Sequence, residues 1–305
     1  MFIVYIMLGL LLLWSIIIAS FTYMMFWIEA GNSPYRARVE ELAGGNVRAL
    51  LLRGVLLSTY SQMLSIIINP LYFWRGLWNP KPDPASPLPT VILIHGLYHN
   101  PSGWLFYRHW LRQAGFTNIF AWPRLVWKDS IDDLLPMLDA WIMERTKDIA
   151  DKPIVIIGHS IGGVIARAYA QRPNPARKMA GVVTLSSPHQ GSKLAALGMG
   201  KASQDIRRGA PFLKRLEAAG TRADIPHLAV YSPIDNMVIP AESQRVKQPG
   251  WTHLETAPVS HIYMLYHKAA AEDVLRFAQS AGRGGAENGS ASSARGMSLN
   301  PDALS

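Results

Sequence analysis

Cysteine is absent from the 305 residues. The fold therefore owes nothing to disulfides and holds no metal through thiolates, and either redox compartment suits it. Charge is scarce as well: Asp, Glu, Lys and Arg make up 17% of the chain while 49% is hydrophobic, against roughly 25% charged in ordinary soluble proteins. Part of the apolar excess must lie outside a soluble core. The formal net charge is +9, yet the basic residues are scattered and no zinc-finger, helix-turn-helix or RNA-binding signature accompanies them, so no nucleic acid is expected. Anionic lipid headgroups and plain solubility are the two readings of that charge. Four histidines, His95, His99, His159 and His189, lie near one another's motifs but lack paired ligand spacing such as H-E-x-x-H, so no metal and no cofactor are expected. Repeats of 20 to 50 residues are lacking too.

The apolar excess is at the N-terminus. Phe2 to Ile28 carries no charged side chain, and a helix of that length at ~1.5 Å per residue covers the ~30 Å core of a bilayer. A cleaved signal is the competing reading, but the apolar run is too long, no Lys or Arg precedes it, and "FWIEAGNS" offers no A-x-A site. A second uncharged stretch, Val55 to Trp74, is long enough to cross again. In a helix its Ser58, Gln62, Ser65 and Asn69 form one stripe, facing either the first span or water at an interface. Asn69-Pro70 ends it. Arg36, Arg38, Arg48 and Arg53 lie between the two stretches and mark that loop as cytoplasmic. With two spans the remainder of the chain is periplasmic; with one it is cytoplasmic.

"NPKPDPASPLP", residues 79–89, has proline at nearly every second position and predicts an extended spacer between a membrane region, 1–78, and a domain, 90–281. Within that domain "VILI" (91–94), "NIFAW" (118–122), "IVII" (154–157), "GVVTL" (181–185) and "HLAVY" (227–231) read as buried strands, with "THLET" as the last. Helical segments at 104–114, 131–146 and 161–171 alternate with them, which predicts an α/β fold with a mostly parallel sheet covered on both faces. Residues 189–226 form a cap containing one helix, "APFLKRLEAAG". The small, polar tail 282–305 is expected to be disordered.

The chemistry concentrates in Gly158-His159-Ser160-Ile161-Gly162, a G-x-S-x-G pattern where a buried strand gives way to a helix. The glycines let strand and helix approach while the serine is held in a strained turn. A serine nucleophile needs a base, and the base an orienting group. Asp235 follows a strand and His261 precedes the final helix, in the chain order Ser, Asp, His. His253 is the rival base but falls in the last strand; His267 is expected inside the last helix, and Asp224 precedes its strand. The amides of Ile161 and of Leu97, the latter just after the first strand and beside Gly96, are the candidate oxyanion donors.

"VILIHGL", "IIGHSIGGVIAR", "VVTLSSPHQGS", "PIDNMVIP" and "VSHIYML" resemble the α/β-hydrolase superfamily, in its bacterial lipase and esterase branch. The resemblance spans Thr90 to about Gln279 and implies hydrolysis of carboxylic esters through an acyl-serine intermediate, without a cofactor. With the apolar N-terminus it suggests a hydrolase of acyl or lipid esters held at a bacterial inner membrane, with Arg207, Arg208, Lys214 and Arg215 of the cap facing anionic lipid or solvent. An acyltransferase or thioesterase uses the same residues, and a non-catalytic interaction module is a third reading.

Overall fold

A computed structural model describes residues 1–173 and 175–283. The chain opens with α1 (Phe2–Gly31), α2 (Tyr35–Leu42), α3 (Val47–Ile68) and the short α4 (Arg75–Trp78). An α/β unit follows: β1 (Thr90–Ile94), α5 (Leu105–Gln113), β2 (Ile119–Ala121), α6 (Ile131–Arg145), β3 (Ile154–His159), α7 (Ile161–Ala170) and β4 (Met179–Leu185). The cap carries α8 (Lys201–Asp205) and α9 (Pro211–Ala218), and β5 (His227–Tyr231), β6 (Trp251–Glu255) and α10 (Lys268–Arg283) complete the unit.

The six strands pair in parallel in the order β2-β1-β3-β4-β5-β6. Every residue of β1, β3 and β4 is buried, as a sheet covered on both faces requires. One face packs against α6 and α7 through Ile92, Ile156, Leu138 and Val164; the other packs against α5 and α10 through Val91, Val155, Leu111 and Val274. From β1 the chain steps outward to β2 and then returns to place β3 on β1's other side. The connections therefore diverge at the β1/β3 boundary, which opens a crevice at the strands' carboxyl ends.

The N-terminal segment departs from expectation in three ways. First, α3 begins at Val47, eight residues before the expected start: Asn46 caps it by accepting the Ala49 amide at 3.0 Å, and Arg48 and Arg53 fall at exposed positions that do not interrupt it. Second, residues 79–89 are no free spacer. Asp83 and Asn118 exchange two hydrogen bonds, of 2.7 and 2.8 Å, and Ser86 and Trp78 are buried. Proline keeps this strip extended, but it lies along the domain rather than holding it at a distance.

Third, α3 does not leave the α/β unit. Tyr23, Phe26 and Ala30 of α1 and Leu50 of α3 share a cluster with Ile234 and Ile239 from the β5–β6 loop. The connecting α2 donates from Tyr35 Oη to the Pro233 carbonyl at 2.9 Å and pairs Arg38 with Glu255 at 2.6 Å. Two spans would put α2 and the α/β unit on opposite sides of a bilayer, whereas here α2 lies against that unit. In α1 itself, Ser15, Ala19, Thr22, Tyr23, Phe26 and Ala30 form a buried stripe, whereas Phe2 and the residues from Val4 to Trp14 are apolar and largely exposed. By length and composition alone both α1 and α3 are able to cross a membrane.

Two smaller differences concern chain ends. His267 precedes α10 rather than lying within it, its carbonyl accepting the Ala271 amide at 3.1 Å. The last helix continues to Arg283, past the expected boundary at 281; the remainder of the expected disordered tail, from 284, lies outside the described residues.

Candidate active site

The crevice between β1 and β3 receives its residues from the two strand ends. Ser160 stands between β3 and α7 with φ of 58° and ψ of −128°, a left-handed conformation that costs a non-glycine residue about 1–3 kcal/mol and survives only where its surroundings enforce it. Packing and one hydrogen bond do so here. The Ser160 amide donates to the Leu185 carbonyl at 2.8 Å. A Cβ on Gly158 would overlap the Gly162 carbonyl, and one on Gly162 would overlap the Ile94 carbonyl. Strand and helix therefore meet closely only with glycine at both places. Gly163, which the sequence pattern did not single out, is equally constrained because a Cβ there would overlap Ser187 Oγ.

Asp235 and His261 come together from the loops after β5 and β6. His261 Nδ1 lies 2.8 Å from Asp235 Oδ2 and 3.1 Å from Oδ1, and both side chains are buried. The carboxylate also accepts the Met237 and Val238 amides, each at 2.8 Å on Oδ1. Since the carboxylate accepts a hydrogen bond from Nδ1–H, the neutral imidazole presents an unprotonated Nε2. His253 has no such freedom, because its Nε2 accepts the Val246 amide at 3.1 Å. Asp224 is occupied by Arg222 at 2.9 Å.

Beside this pair lies His159. Its ring is 4.8 Å from that of His261 and its Nε2 is 3.1 Å from the His261 carbonyl, so Nε2 carries the proton. Burial, and then the neighbouring His261, hold its pKa well below the usual imidazole range, which keeps it a neutral tie. Ser160 Oγ and His261 form no direct hydrogen bond in this structure; such bonds are commonly long before substrate binds.

Of the expected anion donors, Ile161 is the first residue of α7, where amides lack an intrahelical acceptor. Leu97 follows β1 across Gly96, where a Cβ would crowd Ser160 Cβ and His159 Nδ1, each at 3.1 Å. Tyr98 then takes φ of 60°, and its hydroxyl donates to the Met199 carbonyl at 2.8 Å and accepts the Met199 amide at 2.6 Å. The cap is thus fastened to the turn that carries Leu97. In the cap, Arg215 is already paired with Asp132 at 2.5 Å and Arg208 donates to Ser243 at 3.3 Å. An open groove of about 540 Å³, lined in part by Arg208, Leu213, Lys214 and Lys247, lies beside them and does not reach Ser160. Among the described residues no three His, Asp or Glu side chains are placed to share a metal.

A strained serine at a strand-to-helix corner, an Asp–His pair from two later loops and a parallel sheet beneath them define a hydrolase architecture. The sequence matches the Alpha/beta hydrolase family over residues 91–287, and the chain belongs to that family. It is 30% identical over 154 residues to the phospholipase YtpA of Bacillus subtilis, an alignment covering 45% of this chain and 54% of the relative. The chain thus spans about half the length of that curated relative. Among solved structures, the mature lipase BlEst2 of Bacillus licheniformis superposes with a TM-score of 0.56 at 17% identity, covering 66% of this chain and 96% of that one. Lipase B of Aspergillus fumigatus gives 0.54 at 16% identity, covering 63% and 52%. At such identities the structural likeness concerns the fold.

Proposed function

We propose that this protein is a membrane-associated serine hydrolase of carboxylic, lipid-type acyl esters. The observation that carries the reading is the buried Asp235–His261 hydrogen bond at 2.8 Å, set beside a serine held at φ of 58°. In this reading Ser160 Oγ attacks the acyl carbon as His261 Nε2 takes its proton, while Asp235 orients the ring and stabilises the imidazolium. The carbonyl oxygen becomes an oxyanion facing the Leu97 and Ile161 amides. Collapse expels the alcohol, protonated by His261, and leaves an acyl-serine. Water then attacks the acyl group, giving its proton to His261, and the second collapse releases the acid and returns the proton to Ser160.

The substrate class is supported by relatives named as phospholipase and lipase and by the apolar helices. The exposed first half of α1, about 14 residues and so about 21 Å long, is too short for a ~30 Å core but suited to entering one leaflet. Phe73 and Trp74, 80% and 67% exposed, add aromatic side chains of the kind found at interfaces. This arrangement keeps the site close to lipid and raises its local substrate concentration.

The test is hydrolysis of short-chain acyl esters and of phospholipid vesicles by the full-length protein, with free acid measured. Ser160→Ala is expected to abolish release, and equal release by that variant would contradict the reading. A competing alcohol separates hydrolysis from acyl transfer: predominant ester product would make the protein an acyltransferase with the same nucleophile.

A further inference from the structure

Beside Asp235 sits a side chain that the catalytic scheme does not use. Asn236 is completely buried, and each end of its amide is occupied. Its Oδ1 accepts the His261 backbone amide at 3.1 Å, while Nδ2 donates to Thr22 Oγ1 of α1 at 2.7 Å and to Ser58 Oγ of α3 at 3.3 Å. The orientation is fixed chemically: a backbone N–H only donates, so it must meet the carbonyl end, which turns the NH2 toward the hydroxyls. Ser58 Oγ also accepts Gln62 Nε2 at 3.0 Å, so the Ser58–Gln62 end of the polar stripe on α3 is buried against the loop carrying Asp235, while Asn69 at its other end is exposed. Removing a partner from such a buried network leaves an unsatisfied group, and repacking to relieve it moves whatever the network holds.

What it holds is the turn bearing His261. The same loop is gripped on both flanks of Asp235: Ile234 and Ile239 are buried in the cluster with Tyr23, Phe26 and Leu50, and the Pro233 carbonyl accepts Tyr35 Oη. The two apolar helices are therefore part of the frame that aligns the acid–base pair.

We propose that Asn236 is a positioning residue that ties the His261 turn to Thr22 of α1 and Ser58 of α3, so that turnover depends on docking of the apolar helix pair. The proposal rests on His261 being the base. Its action is on the alignment of an existing group, and a displacement on the ångström scale suffices to slow a reaction strongly.

The experiment uses full-length protein in detergent micelles with a soluble short-chain ester. Thr22→Val combined with Ser58→Ala removes both hydroxyls and leaves every residue of the proposed site in place. Its kcat is expected to fall about tenfold with KM within about twofold of wild type. Thr22→Ser combined with Ser58→Thr, which keeps both hydroxyls, is expected to retain most of the turnover. Wild-type kcat in the first variant overturns the proposal, as does an equal loss in both, which would assign the effect to packing. Should the first variant fail to fold, Ser58→Ala alone carries the test, with a loss of about two- to fourfold expected and no loss overturning it. His261→Ala separates the two claims: undiminished turnover there removes the base and this proposal with it. An inactive His261→Ala alongside a fully active Thr22→Val/Ser58→Ala removes only the tie to the helices.

Discussion

At the scale of residues, each proposed role has its own signature. Asp235→Asn preserves the shape of the carboxylate but favours the wrong imidazole tautomer, so turnover is expected to fall by about 10⁴-fold with the protein still folded. Gly163→Ala acts through packing, because its Cβ has no space beside Ser187 Oγ; a loss of about 1–3 kcal/mol in denaturant unfolding is expected. Buried histidines predict acid sensitivity. Burial lowers His95 to about 4, and it pushes His159 and His189 well below the usual range. Between pH 6.5 and about 4 the unfolded chain binds protons there that the folded chain does not, so stability rises with pH through that window and is lost on acidification. Thermal melts at pH 7 and pH 5 check this: the midpoint should be lower at pH 5, and an unchanged midpoint would count against neutral burial. Ser160, Asp235 and His261 were proposed from sequence because the elbow and chain order are local or sequential signals, and of these the structure brings Asp235 and His261 into a hydrogen bond. Asn236, Tyr98 and Gly163 were not, since their roles come from partners distant in the chain or from a contact that appears only on packing.

At the scale of elements, β-branched runs bounded by glycine and proline marked the strands, and the strand order then located the crevice. The N-terminal helices were harder to read. Apolar length announced a bilayer, but a helix that packs on a protein face is equally apolar, and only the stripe of Ser58, Gln62, Ser65 and Asn69 hinted that part of this surface meets polar partners. Proline alternation likewise predicted an extended strip without saying whether it runs through solvent or along the domain. Helix docking has a sharp contact at Gly54, where any Cβ would overlap the Tyr23 ring. Gly54→Val is therefore expected to separate α1 from α3 and to open the chain near residues 32–46 to limited proteolysis; a cleavage pattern like that of wild type would contradict the packing.

At the scale of the molecule, the structure joins a hydrolase fold to an apolar N-terminal projection. Two exposed leucines on that projection, Leu10 at 58% and Leu13 at 55%, make its membrane contact testable. Leu10→Glu with Leu13→Glu is expected to release the protein from vesicles in flotation while hydrolysis of a soluble ester stays near wild type; continued flotation would place the membrane contact elsewhere. The central claim concerns the nucleophile and is tested most directly by treating the folded full-length protein with a fluorophosphonate and mapping the adduct by peptide mass spectrometry. The account predicts a single adduct on Ser160, absent from Ser160→Ala and strongly slowed in His261→Ala. An adduct on another residue, or a folded wild-type protein that takes none, would contradict it.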